Sequence, residues 1–190
     1  MYLFGFGSLI NLKSAQKSFK RVLRQNDLVP VQIKGYERVW NALESIAFDD
    51  KVVNGVFLNI QKNENATMYG VVIEISPEEL EILKLREKNY SCIEIKAQEV
   101  MNKKFESNLV AFMTQSSQKL AQKGDKNSYI PQYYIDVLNE ALPFYDEMFV
   151  QDFQKSLHNF PFPIKEGTYH FTDPIQHAAA REGIKINETK

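Results

Sequence analysis

The sequence predicts an α+β protein built on a curved or barrel-like sheet. Many short strand segments accompany few helices, and only one stretch offers a good βαβ crossover, which argues against a doubly wound parallel sheet. At 190 residues, 44% hydrophobic and 12% aromatic, the chain has enough apolar material for one sizeable core. That length fits a single domain over 1–190, with 144–190 as a C-terminal helical and extended extension.

The first strand is the run Tyr2-Leu3-Phe4-Gly5-Phe6-Gly7-Ser8-Leu9-Ile10, apolar but broken by two glycines and a serine. Glycine in a strand marks a bulge or a close approach of backbone to something else. Leu12 to Arg24 follows, with apolar residues three and four apart among five cations, and predicts an amphipathic helix with a solvated basic face. Val29 to Trp40 alternates like a strand with a break at Gly35. Gly55–Ile60 and Met68–Ile75 read as two further strands, and the turn-prone Lys62-Asn63-Glu64-Asn65 between them suggests a hairpin.

Ser76-Pro77-Glu78-Glu79 is the sharpest boundary. Serine at the N-cap, proline at the first helical position and glutamate three residues after the cap form a capping box, opening a helix that runs to about Lys88. Its core face should hold Leu80, Leu83 and Leu85 or Ile82. Strands are expected at 91–99 and 109–114, separated by a polar turn. Ser116 to Asn127 is polar and reads as a long loop or a lid. Pro131 to Leu142 and Tyr145 to Leu157 are helical by period, and the remainder reads as an extended wrap with a short helix at Pro174–Arg181.

Composition excludes several classes of function. The charges nearly balance, 23 basic against 24 acidic, and no Lys/Arg block tracks a phosphate backbone, so no nucleic acid is expected as partner. One cysteine, Cys92, precludes an intrachain disulfide framework and reads as a small buried apolar residue. No signal-peptide pattern and no membrane-length apolar run appear; the expectation is a soluble, cytoplasmic protein without a membrane partner. His158, His170 and His177 lack the spacing that grips a metal, so no metal or other cofactor is expected.

The glycine-containing opening fails three motif tests. A dinucleotide loop would need glycine at Ile10, a P-loop would need Gly-Lys-Ser/Thr, and a nucleophile elbow on Ser8 would need glycine in place of Phe6 and Ile10. What remains is acid/base chemistry on a small molecule, for which carboxylates are the candidates.

Two segments together resemble the gamma-glutamylcyclotransferase-like family, including its ChaC and AIG2-like branches. Phe4-Gly5-Phe6-Gly7-Ser8-Leu9-Ile10 is similar to the family's F-G-Y-G-S signature, and Leu83-Lys84-Leu85-Arg86-Glu87-Lys88-Asn89-Tyr90 to the segment that carries its catalytic glutamate. Gly35-Tyr36-Glu37-Arg38 and Met68-Tyr69-Gly70-Val71-Val72 fall where the family has similar strands, and the likeness is good over about residues 2–100.

The resemblance implies an α+β fold, a mixed, partly closed β-barrel with flanking helices, holding a pocket between the first-strand loop and Glu87. It implies a lyase-type cyclisation: a γ-glutamyl compound, as in glutathione metabolism, closes to 5-oxoproline and releases an amine or amino acid. Glu87 would be the general acid/base, and Phe6, Gly7, Ser8 and Leu9 the substrate loop, with Gly7 kept bare for access and Ser8 for its small size and backbone. Phe6 stands where the family has tyrosine, which suits core packing. Tyr133 resembles a family position that lends a pocket hydroxyl; its helical spacing equally fits the core. Arg86 is expected to face solvent. Asn41-Ala42-Leu43-Glu44-Ser45 does not reproduce the ChaC signatures, so the substrate stays open among glutathione, dipeptides and amines. The alternative is a non-catalytic small-molecule-binding protein on the same fold, monomeric or homodimeric.

Overall fold

The computed structural model describes residues 1–49 and 51–183. Its strands are β1 (Tyr2–Gly5), β2 (Val29–Phe48), β3 (Lys51–Glu74), β4 (Ser91–Ile95), β5 (Leu109–Met113), β6 (Ser128–Pro131), β7 (Ile164–Lys165) and β8 (Tyr169–Phe171). Helices are α1 (Leu12–Gln16), α2 (Pro77–Arg86), α3 (Gln132–Ala141), α4 (Glu147–Ser156) and α5 (Pro174–His177), the last continued by a wider turn over Ala178–Glu182.

The mixed sheet runs β4-β5-β1-β3-β2-β8 and does not close into a complete barrel. β1 pairs antiparallel with β3 and parallel with β5. On the edge of β3 away from β2, Val71–Glu74 carry β1 while Asn54 and Gly55 pair with β6. Between those two attachments, Phe57 and Leu58 of β3 line the site described below.

Two long strands replace the three shorter ones expected from the sequence. β2 and β3 form one antiparallel ribbon from Val29↔Val72 to Phe48↔Lys51. The hairpin end is at Asp49, whose φ is +50°, not at Lys62–Asn65. That polar stretch is instead a bulge: the register steps from Lys34↔Thr67 to Tyr36↔Lys62, leaving four residues on β3 opposite the single Gly35. The sequence signal for a turn was real, because asparagines favour irregular backbone, but the ladder resumes on the far side. A second register shift at Trp40/Ala42 explains why alternation fades there although the strand continues.

The helix expected over 12–24 ends at Gln16. Beyond it the Gln16 side chain takes over backbone bonding, donating to the Phe19 and Arg21 carbonyls and accepting from the Leu23 N–H at 2.7 Å. Phe19 and Leu23 are buried from this irregular segment rather than from a helix face. Strand β4 likewise stops at Ile95, before a single turn at Ala97–Glu99.

The segment 116–127 runs along β2, tied by Ala121 N–H to the Asn41 carbonyl at 2.8 Å and by a bridge between Ala42 and Leu120. Cys92 is exposed, a correction to its expected burial: its strand β4 is the terminal strand of the path. No helix among the described residues is long and apolar enough to cross a membrane.

Candidate active site

α2 forms as its cap residues dictate. The Ser76 hydroxyl accepts from the Glu79 N–H at 3.2 Å, and the Glu79 carboxylate accepts from the Ser76 N–H at 2.9 Å. Leu80 and Leu83 face the core, Leu85 is exposed, and the next inward position is Arg86, only 4% exposed. Glu87 is the C-cap, its N–H bonded to the Leu83 carbonyl.

Arg86 contradicts the expectation that it faces solvent. All five of its N–H donors have acceptors: Nε bonds Glu87 Oε1 at 3.1 Å, Nη1 bonds the Ser14 carbonyl at 2.8 Å and Ser18 Oγ at 3.0 Å, and Nη2 bonds Ser8 Oγ at 2.9 Å and Ser14 Oγ at 3.1 Å. Burial of a guanidinium is tolerated only with such complete pairing. Ser8 therefore contributes its hydroxyl as well as its backbone. One guanidinium joins the first-strand loop, α1 and the end of α2.

The loop itself turns because Gly7 caps a short helical turn at Ser8–Ile10, closed by Ile10 N–H to the Gly7 carbonyl at 3.0 Å. The N–H groups of Ser8 and Leu9 precede that first bond and have no partner within the turn. Both glycines are required by proximity. A Cβ on Gly5 would stand 2.8 Å from Leu9 Cβ, and one on Gly7 would stand 2.6 Å from the Tyr134 hydroxyl oxygen. Asn11 fixes the next step, accepting from the Ser14 N–H at 3.0 Å and donating to the Val137 carbonyl of α3 at 2.9 Å.

These elements enclose a cavity of about 160 Å3. Phe6, Gly7, Ser8, Leu9, Glu87 and Tyr133 all line it, so the sequence-predicted site residues are brought together in one place. They differ in depth. Tyr133 is 38% exposed, at the rim, with the Arg181 guanidinium 4.1 Å above its ring. Its neighbour Tyr134 is buried, held edge-on by Trp40 and Phe57, and places its hydroxyl at the Gly7–Ser8 backbone. Burial raises the Tyr134 hydroxyl well above its ordinary pKa, so it stays a neutral donor and acceptor.

Burial raises the Glu87 carboxyl as well, against the pull of Arg86 beside it. A second carboxyl, Glu44 of β2, also lines the cavity. It is 4% exposed, and Asn89 Nδ2 donates to its Oε2 at 2.5 Å. Burial pushes Glu44 up to about 7, with the Asn89 and Gln176 amides and Lys119 pulling it down and the Glu87 charge adding to the rise. Tyr90, near both acids, donates to the Leu58 carbonyl at 3.4 Å.

The C-terminal segment supplies the remaining wall through Tyr169, Phe171, Gln176, Ala180 and Arg181. Lys88 clamps it to the end of α2 by bonding Asp173 at 2.5 Å. No residue of 116–127 lines the cavity, so that loop is not its lid.

The fold has known counterparts. No protein-family model matches the chain, and no curated protein matches it. Among solved structures, a gamma-glutamyl cyclotransferase matches with a TM-score of 0.57 at 12% identity, over 94% of this chain and 97% of that one. A gamma-glutamyl cyclotransferase specific to glutathione from yeast matches at 0.51 and 14% identity, over 83% and 97%. The chain has the gamma-glutamyl cyclotransferase-like fold. YkqA from Bacillus subtilis shares this fold at a TM-score of 0.59 and 17% identity; 87% of this chain is covered, against 56% of YkqA.

Glu44, Tyr134, Arg86 and the Tyr169–Arg181 wall were missed by sequence reasoning. Arg86 was accessible in principle, since the stripe Leu80, Leu83 leads at helical spacing to positions 86 and 87. Glu44 carried a weaker signal: it stands in phase with Ala42 and Ile46 on the inward face of β2. Nothing local marks the C-terminal wall.

Proposed function

We propose that this chain is a γ-glutamyl cyclotransferase, converting a γ-glutamyl compound to 5-oxoproline and an amine or amino acid, with Glu87 as general acid/base. The observation that carries the reading is that a carboxyl raised by burial shares one cavity with the Gly7–Leu9 turn, and Arg86 bonds both.

The reaction asks little covalent chemistry of the protein. The substrate's α-amino nitrogen attacks its own γ-carbonyl carbon, a C–N bond closes a five-membered lactam, and the bond to the departing nitrogen breaks. Two protons leave the α-nitrogen and two arrive on the released amine. A carboxyl raised by burial is better able to hold and return such protons, and general acid/base catalysis of this kind is worth about 10²- to 10⁴-fold. Confinement of the folded substrate in the cavity supplies proximity. The Leu9 N–H and the Tyr134 hydroxyl, which itself rests on the Ser8 backbone, are the donors suited to the oxyanion that develops on the γ-carbonyl.

Incubation of the full chain with γ-glutamyl amino acids, γ-glutamyl amines and glutathione should release 5-oxoproline from at least one class. Glu87→Gln should remove the product by at least about 10²-fold while leaving the melting transition in place. Product formation undiminished in Glu87→Gln overturns the reading. Ligand binding with no product from any of these compounds would support a binding protein on the same fold.

A further inference from the structure

The buried Glu44 carboxyl is only half satisfied. Asn89 holds Oε2 and the Gln176 amide lies close enough to favour the ionised carboxyl, but no hydrogen bond of normal geometry reaches Oε1 among the described residues, although the side chain lines the cavity. A buried polar atom without a partner is unfavourable, more so where charge is involved, and here it belongs to a side chain on the cavity wall, so a small turn of the carboxyl would present it to a ligand donor. The surroundings define that donor. Glu87 lines the same cavity, is near enough for its charge to oppose ionisation of Glu44, and is itself only partly engaged, through the bond of Oε1 to Arg86. Arg86 has no donor left to relieve either acid. A compact cation with several N–H donors, placed between the two carboxyls, would satisfy both.

Cations line the cavity as well as acids. Lys17 and Arg181 line it where α1 meets the C-terminal segment, and neither belongs to an ion pair among the described residues. They lie near enough for Arg181 to help lower Lys17, after burial itself. Glu140, also on the lining, is exposed on α3 at the rim. A zwitterionic α-amino acid head matches this arrangement, its ammonium toward the acids and its carboxylate toward the cations.

We propose that Glu44 is a substrate-binding residue whose free Oε1 accepts from the α-ammonium of the γ-glutamyl head, with Lys17 and Arg181 facing the α-carboxylate. The inference rests on the γ-glutamyl reading for the identity of the head group, but it concerns binding and not turnover. Glu44 would hold the ammonium beside Glu87, which takes its proton.

The test uses two probes that carry no γ-amide to cleave: L-glutamate, and glutarate, the same molecule without the α-amino group. Isothermal titration of the full chain near pH 7.5 should show L-glutamate binding at least about 10-fold more tightly than glutarate, the size expected of a charge-assisted hydrogen bond. Glu44→Gln should abolish that preference. The groups facing Glu44 are Glu87, Tyr90, Tyr169 and Lys119. Among these, occupation of Oε1 by an ammonium favours the ionised Glu44, so proton release on binding near pH 7 should appear in wild type and shrink in Glu44→Gln. If Glu44→Gln melts below the assay temperature, Glu44→Asp replaces it, since it keeps the charge but retracts the oxygen by one methylene. No binding of L-glutamate, equal binding of both probes, or a preference retained in the variants overturns the proposal. Because neither probe is turned over, failure here is distinct from failure of the Glu87 assay.

Discussion

Arg86 donates from Nη2 to the Ser8 hydroxyl at 2.9 Å although the two residues are 78 positions apart. This bond, with those to Ser14, Ser18 and Glu87, makes one side chain the junction between the glycine loop and the candidate general base.

Replacement of Arg86 by lysine keeps the charge but supplies three donors from a point in place of five from a planar fork. At least two of its acceptors lose their partner in a buried place, so Arg86→Lys should cost on the order of 2–4 kcal/mol by chemical denaturation. Loop and carboxyl then shift relative to one another, and kcat for 5-oxoproline release should fall at least about 10-fold. Unchanged stability and rate would show that the junction is dispensable.

Gly7 and Tyr134 make a second pair. A methyl on Gly7 would come to 2.6 Å from the Tyr134 hydroxyl, and the ring cannot retreat between Trp40 and Phe57. Gly7→Ala should therefore lower kcat/KM by about 10- to 100-fold, in line with displacement of an oxyanion donor. Tyr134→Phe removes the clashing oxygen, so the double variant should recover part of the Gly7→Ala loss in steady-state assays. Additive losses would show that the two atoms do not compete for space.

Much of this was legible in the sequence, and the remainder shows where local reasoning stops. The capping box fixed the start of α2, and the glycine loop and Glu87 were locatable because their demands are local: bare backbone and a helix end. The long ribbon was misread because bulges at Gly35 and Trp40/Ala42 break the alternation that reveals a strand, while pairing with the partner strand carries on. Arg86, Glu44 and the C-terminal wall depend on tertiary placement. A buried arginine looks like a solvated one until Ser8, Ser14 and Ser18 are assembled around it.

The rate should report Glu87 through its protonation. Burial raises its pKa above the usual 4.5, and the base acts only when ionised. The acidic limb of the kcat–pH profile should accordingly have its midpoint above 4.5, with activity lost as pH falls through it. A limb at the ordinary carboxylate value would mean that the base is solvated.

Glu44 should govern stability, with the opposite dependence on pH. Its carboxyl titrates near 4.5 when unfolded and at about 7 when folded, so the native state binds the extra proton between those values. The stabilisation is complete below pH 4.5 and disappears as pH rises through 7. Glu44→Gln cannot ionise; at pH 8 it should be more stable than wild type, by up to about 3 kcal/mol, and near parity at pH 4.5. Urea denaturation of both proteins at the two pH values isolates this group, because Glu87 is common to both. A variant less stable at pH 8 would show that the ionised carboxylate is already well solvated or paired.

Arg181 anchors the C-terminal wall of the cavity. Arg181 lies 4.1 Å above the Tyr133 ring and 4.8 Å from that of Tyr169, so its cation joins the C-terminal segment to the rim of the cavity. At such a partly exposed place each contact is worth about 0.5–1 kcal/mol, and removal should lower the melting temperature only slightly. The larger effect is on the ligand. Arg181→Ala deletes one of two lining cations that belong to no ion pair among the described residues, while Arg86, Glu87 and the glycine loop keep their bonds. KM for a γ-glutamyl substrate should therefore rise about 10-fold with kcat little changed, and Arg181→Lys should restore part of the affinity, since the charge returns without the planar stacking surface. A fall in kcat at unaltered KM would assign Arg181 to the chemistry instead of to binding.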